Sequence, residues 1–130
     1  MVVLDAWAAL ALLNDEPAAT EVDRAITEET AVMSLINLGE VIYRAIPRRG
    51  ERRTLEAVGA VRRRIQVEDV DYDMVIAAAR LKAGHRLSYA DAFCVATAQR
   101  HDAVVYTGDP EILALEELVQ SVDLRSAPRA

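Results

Sequence analysis

Four carboxylates stand at the ends of apolar stretches of this chain: Asp5 in VVLDAW, Glu40 in SLINLGEV, Asp91 in LSYADAFCVATAQR and Asp109 in VVYTGDPEI. Asp91 is the sharpest case. The residues three or four positions away on its helical face are Leu87, Ser88, Cys94 and Val95, and none is a cation. If the four acids meet in space they repel. At ~4 Å and an effective dielectric near 20, each pair costs about 4 kcal/mol before relaxation. Either their pKa values rise or a cation enters. An all-oxygen ligand set favours a hard ion, Mg²⁺ or Mn²⁺. Such an ion suits phosphoryl chemistry, because it polarises a phosphate and lowers the pKa of a bound water oriented for in-line attack.

Whether the acids meet depends on the elements that carry them. VVLD (2–5) and AVMS (31–34) read as strands, IQVEDV (65–70) contains a third, AVVYT (103–107) is a fourth and LVQSVDL (118–124) a fifth. Residues 6–13, roughly 17–28, 36–46, 51–64, 72–83 and 89–101 read as helices, with a short one after Pro110. Pro47 and Gly50 mark a turn that splits 36–46 from 51–64, and Gly84 can end the helix before it. Strands alternating with helices imply crossover connections and a mostly parallel sheet covered on both faces. Asp5 then ends the first strand and Asp109 follows the fourth, while Glu40 lies early in the helix after the second strand. Asp91 lies in the first turn of the helix leading to the fourth strand. All four are expected at the carboxyl edge of the sheet, where α/β folds place their sites.

Each acid also has a purely structural reading. Ser88 and Asp91 match a capping box. Asp109-Pro110-Glu111 is a good helix start. Glu40 can pair with Arg44 one turn on, and Asp5 can cap the helix from Ala6. Their convergence is what favours chemistry. His85 and His101 are the only histidines and have no ligand-like spacing, so zinc is not expected. Cys94 is the single cysteine, which rules out an internal disulfide and a cysteine zinc cage and fits a reducing compartment. Walker, G-x-S-x-G and G-x-G-x-x-G patterns are missing.

The 130 residues suit one domain, 1–130. The apolar run from Ala6 to Leu13 has no basic residues before it and is too short to cross a membrane, so a cytoplasmic protein is expected. Net charge is −6, but eight arginines against two acids between Arg44 and Arg64 give that stretch +6 and leave −12 elsewhere. A basic stripe on an acidic protein can still attract phosphate, although many such runs are only solvated helix surface.

Together, VVLDAWAALALL, SLINLGEV, LSYADAFCVATA and VVYTGDPEI resemble the PIN-domain ribonucleases, most of all the VapC-type toxins of toxin–antitoxin operons. The resemblance spans Val2 to about Leu124 and implies a three-layer α/β/α fold with a central, mostly parallel sheet of four to five strands. It implies a metal-dependent endoribonuclease acting on structured RNA of the transfer or ribosomal class. The family's acidic quartet falls on Asp5, Glu40, Asp91 and Asp109. It implies that Asp5 and Asp91 hold Mg²⁺ or Mn²⁺ most directly, that Glu40 helps hold it or activates water, and that Asp109 acts through water or a second ion. Thr107 corresponds to a supporting hydroxyl residue and Asn37 to a polar residue near the site. A small antitoxin and a homodimer are the implied partners. One departure is Ala6-Trp7, where the family often has Ser or Thr after the first acid. Trp7 reads as core or as a base-stacking surface. Two alternatives are a PIN-like binding module acting through a partner, and a haloacid-dehalogenase-type phosphatase. The phosphatase needs an acid where Trp7 stands, and Lys82 is the only lysine in the chain.

Overall fold

The computed structural model describes residues 1–126. In chain order it forms β1 (Val2–Leu4), α1 (Ala6–Leu13), α2 (Ala19–Glu28), β2 (Ala31–Ser34), α3 (Leu35–Arg49), α4 (Glu51–Arg62), β3 (Gln66–Glu68), α5 (Tyr72–Gly84), α6 (Tyr89–His101), β4 (Val104–Thr107), α7 (Pro110–Leu113) and β5 (Ser121–Asp123). The five strands make one sheet in the order β3-β2-β1-β4-β5, and every pairing is parallel. The register sets Val3 beside Val32 and Val105, and Leu4 beside Tyr106.

Alternation along the strands divides the core in two. Val3, Val32 and Val105 face α5, α6 and α7, whereas Val2, Leu4, Ala31 and Met33 face α1, α2, α3 and α4. This is the three-layer arrangement. From β1 the chain steps to β2 and then β3, and afterwards returns past β1 to β4 and β5. Reversing direction while keeping right-handed crossovers moves the later helices to the opposite face.

Two helices are apolar on almost all sides because they are covered on almost all sides. In α6 every residue from Asp91 to Ala98 is buried, since the helix packs on β1, β2 and β4 and is overlaid by α5 and α3. Similarly, α1 lies between the sheet, α2 and α3. One boundary differs from the sequence expectation. The helix thought to stop before Pro47 runs through it to Arg49. Pro47 stands in the last turn, where one missing N–H loses a single bond, and Gly50, at φ 82°, makes the turn into α4.

Candidate metal centre

The strand order reverses between β1 and β4, and ligands of open α/β sheets bind beyond the strand ends at such a point. Asp5 immediately follows β1 and is 1% exposed. It caps α1: the Ala8 amide donates to its Oδ1 at 2.9 Å. The Thr107 hydroxyl, at the end of β4, donates to Asp5 Oδ2. The same hydroxyl oxygen accepts the Asp109 amide at 2.9 Å. Thr107 thus ties the ends of β1 and β4 together.

Ser34 caps α3, which starts directly from β2. Buried Leu38 and Val41 hold this helix down, and Glu40 between them is buried to 9% exposure. Glu40 Oε2 pairs with Arg44 Nη2 at 3.1 Å, while Oε1 is buried with no hydrogen-bond partner. The predicted ion pair therefore exists, and it joins an exposed arginine to a buried carboxylate. Asp91 enters from α6, whose N-cap Ser88 accepts the Asp91 amide at 3.1 Å. Asp109 caps α7, its Oδ1 accepting the Glu111 amide at 2.9 Å. Asn37 is fully buried and donates from Nδ2 to the carbonyl of Ala90 at 2.9 Å, linking α3 to α6 just before Asp91. Its Oδ1 has no partner.

The four acids share one electrostatic neighbourhood. Burial pushes the Asp5 carboxyl up to about 7, with Asp109 and Glu40 adding to the rise and the Thr107 and Ala8 hydrogen bonds opposing it. Burial also raises Asp91, reinforced by Asp109 and Asp5. Glu40 is raised by burial and Asp109, against the pull of Arg44 and of the neighbouring Asn37 amide. The buried Cys94 thiol, one turn along α6 from Asp91, is raised by burial and by all four carboxylates.

A carboxylate-only donor set, with an orphaned buried oxygen on Glu40, fits a hard divalent ion. The tightest potential ligand group among the described residues is Asp91, Asp109 and Glu111, with oxygens within 4.8 Å of one another. Glu111 was read from sequence only as part of a helix start. Its position two residues past Asp109 was the available signal, because an N-cap and the third residue of the capping segment share one helix end. His85 donates from Nδ1 to the Leu81 carbonyl at 3.1 Å, and His101, the last residue of α6, pairs with Glu68 of β3 at 2.9 Å, so each histidine has a structural partner. Lys82 is exposed on α5, and with Trp7 at the position of the needed second acid the phosphatase has neither group.

Gly108, between Thr107 and Asp109, also escaped the sequence reading. A Cβ there would sit 2.3 Å from Trp7 Cε2, so the indole lies directly against this backbone. Gly108→Ala is expected to destabilise the fold by about 1–3 kcal/mol through overpacking, and to displace the loop carrying Asp109. Thermal unfolding measures it, and in a Trp7→Ala background the added cost of Gly108→Ala should nearly vanish. Unchanged stability in the single variant would contradict this packing.

Several solved structures of toxin and toxin–antitoxin proteins are similar to this fold. VapC20 of Mycobacterium tuberculosis, a sarcin–ricin-loop-cleaving toxin, is 22% identical with a TM-score of 0.75, covering 88% of this chain and 94% of its own. DNA-bound VapBC from Salmonella typhimurium is 22% identical with a TM-score of 0.77, covering 95% and 97% respectively. VapBC-1 of nontypeable Haemophilus influenzae is 20% identical with a TM-score of 0.74, covering 97% and 100%. No curated protein matches the chain by sequence. The sequence itself matches the PIN domain over residues 2–118, from β1 through the segment after α7, and the chain therefore belongs to the PIN-domain family.

Proposed function

We propose that the protein is a divalent-metal-dependent endoribonuclease and the toxin of a toxin–antitoxin pair. What supports this is that Asp5, Glu40, Asp91 and Asp109, carried by four separate elements, share one electrostatic neighbourhood beside the point where the strand order reverses, with Asp91, Asp109 and Glu111 close enough to share an ion. Asp5 and Asp91 would hold Mg²⁺ or Mn²⁺, with Asp109 and Glu111 at the outer mouth. When bound, the ion supplies positive charge to the scissile phosphate and acidifies a water. Thr107 fixes the Asp5 carboxylate, and Asn37 fixes the start of α6. Glu40 Oε1, unpartnered and on a group whose pKa is raised by burial, suits acceptance of a proton from the attacking water.

Toxins and toxin–antitoxin complexes of the same fold, one named for cleaving the sarcin–ricin loop, favour a structured RNA of the transfer or ribosomal class as substrate and a separate antitoxin chain as partner. A homodimer acting in the cytoplasm completes the reading. Among the described residues no helix is long and apolar enough to cross a membrane.

The test is cleavage of total RNA by the purified protein with Mg²⁺ or Mn²⁺, with chelator, and beside Asp5→Ala, the new RNA ends being mapped by sequencing. Discrete cuts that require both metal and Asp5 are expected. Metal binding without cuts would favour instead a PIN-like binding module acting through a partner, the reading to which Ala6-Trp7 in place of a hydroxyl lends support.

A further inference from the structure

Beside the acidic rim lies a groove of about 410 Å³ between α1 and α3, lined by Trp7, Leu10, Asn14, Glu16, Arg44 and Arg48. Its volume falls within the roughly 300–1,000 Å³ of ligand clefts. Three features set it apart from ordinary surface. Trp7, two residues past Asp5, packs on the core but is only half-buried, so part of its indole stays open to the groove. Its position is held by the Gly108 backbone of the loop that carries Asp109. Arg44 and Arg48 stand four residues apart on α3 and present two guanidinium groups to the same groove.

The arginines differ in their commitments. Arg44 is 56% exposed on its side chain and spends one Nη on Glu40. Arg48 is exposed and makes no ion pair or side-chain hydrogen bond among the described residues. Elsewhere in the basic stretch, Arg49 donates to the Leu13 carbonyl, Arg52 pairs with Glu56 and Arg64 with Asp23, while Arg53, Arg62 and Arg63 are as uncommitted as Arg48 among the described residues but do not line this groove. A flat aromatic beside one uncommitted guanidinium, Arg48, and a second only partly committed to Glu40, matches the two chemistries of a nucleotide, a π-face and a phosphate. The sign of charge also changes along the path. The rim is negative and calls for a cation, whereas on the α3 side of the groove, across from Glu16, the uncommitted Arg48 calls for an anion, as a strand leaving the site requires.

We propose that this groove is a subsite for one unpaired nucleotide of the RNA, its base stacked on Trp7 and its phosphate met by Arg48 and Arg44. The proposal rests on the nuclease reading, since it names where the substrate strand continues from that rim. It gives Trp7, which stands where a hydroxyl residue is usual in the resemblance, a role in substrate choice: unpaired nucleotides are accepted next to the cut, and paired ones are refused because their bases cannot reach the ring.

Trp7 is the only tryptophan, so its emission reports the groove directly. The full chain, in chelator so that no RNA is cut, is titrated with single-stranded hexauridylate and with an abasic oligomer of equal charge. Affinities of labelled oligomers are read in parallel by anisotropy. Hexauridylate should quench Trp7 and bind about tenfold tighter than the abasic oligomer. Trp7→Leu should lose about that factor, and Trp7→Phe should keep most of it, which separates a lost ring from a disturbed fold. Arg48→Ala should weaken both oligomers and lower the salt slope by about one. Absence of quenching, or equal binding by Trp7→Leu in a protein with an unchanged thermal midpoint, overturns the proposal. So does a protein partner that alone alters Trp7 emission while hexauridylate does not. Cleavage in metal without quenching leaves the nuclease standing and removes the subsite. Quenching without cleavage in any metal keeps the subsite and removes the nuclease.

Discussion

Asp91→Asn is expected to abolish metal-dependent RNA cleavage while leaving the fold intact. Even the loss of an outer partner of a metal ligand typically lowers activity by about 10–100-fold, so removal of a ligand should exceed about 10²-fold. The fold should survive for a local reason. Ser88 caps α6 through the backbone amide of residue 91, which asparagine retains. The rest of the α6 interior, from Ala92 to Ala98, is unaltered. The substitution also removes a buried carboxyl whose ionised form is disfavoured by burial and by Asp109. Circular dichroism and the thermal midpoint should therefore match the parent, while calorimetric titration shows weaker Mn²⁺ binding. Cleavage at the parent rate would remove Asp91 from the proposed site.

The metal-free protein should become less stable as pH rises from about 5 to 8, and Asp5→Asn should cancel the Asp5 share of that loss, the raised Asp91 and Glu40 supplying the rest. Burial lifts the folded-state pKa of Asp5 to about 7, above the ~3.9 of an unfolded aspartate. The folded state therefore binds the proton more tightly. The resulting stabilisation is complete below pH ~4, declines through the window between the two values and is gone above pH ~7. For Asp5 alone the difference between pH 5 and pH 8 is about 2–3 kcal/mol, or on the order of 10 °C in the thermal midpoint. Asparagine keeps the cap to the Ala8 amide, and the Thr107 hydroxyl can still accept the Asp109 amide while turning its proton. At pH 8 without metal, Asp5→Asn should thus be more stable than the parent. Mg²⁺ or Mn²⁺ should stabilise the parent most at the higher pH, where the carboxylate is free to bind it. A flat profile between pH 5 and 8 would show that Asp5 is already ionised, with its burial offset by other groups.

Local pattern made most of the elements legible. The helices over 6–13 and 89–101 and the strand AVMS appear where apolar periodicity and capping residues put them. Ser88, Asp109 and Asp5 are helix caps as their positions suggested. Strand–helix alternation was enough to expect a parallel sheet with the four acids at its carboxyl edge, because crossover connections return every strand in the same direction. Pro47 was misread because the cost of a proline depends on which N–H it removes, and in the last turn of α3 one bond is lost in a helix anchored by Leu38, Val41 and Ala45.

The sequence by itself determined the element order, the apolar faces and the placing of four carboxylates at strand and helix ends, since these follow from spacing along one chain. Only the tertiary structure decided the strand order, and with it the neighbourhood of β1 and β4 that lets Thr107 bond to Asp5 across 102 residues. It also decided that Asn37 reaches Ala90, that Glu111 joins Asp91 and Asp109, and that Trp7 needs a residue without a side chain at 108. These contacts join parts of the chain that no local periodicity relates. Their geometry is set by how the two helical layers close over the sheet, so the raised carboxyl pKa values and the partial burial of the Trp7 indole exist only once that closure has excluded water from the rim.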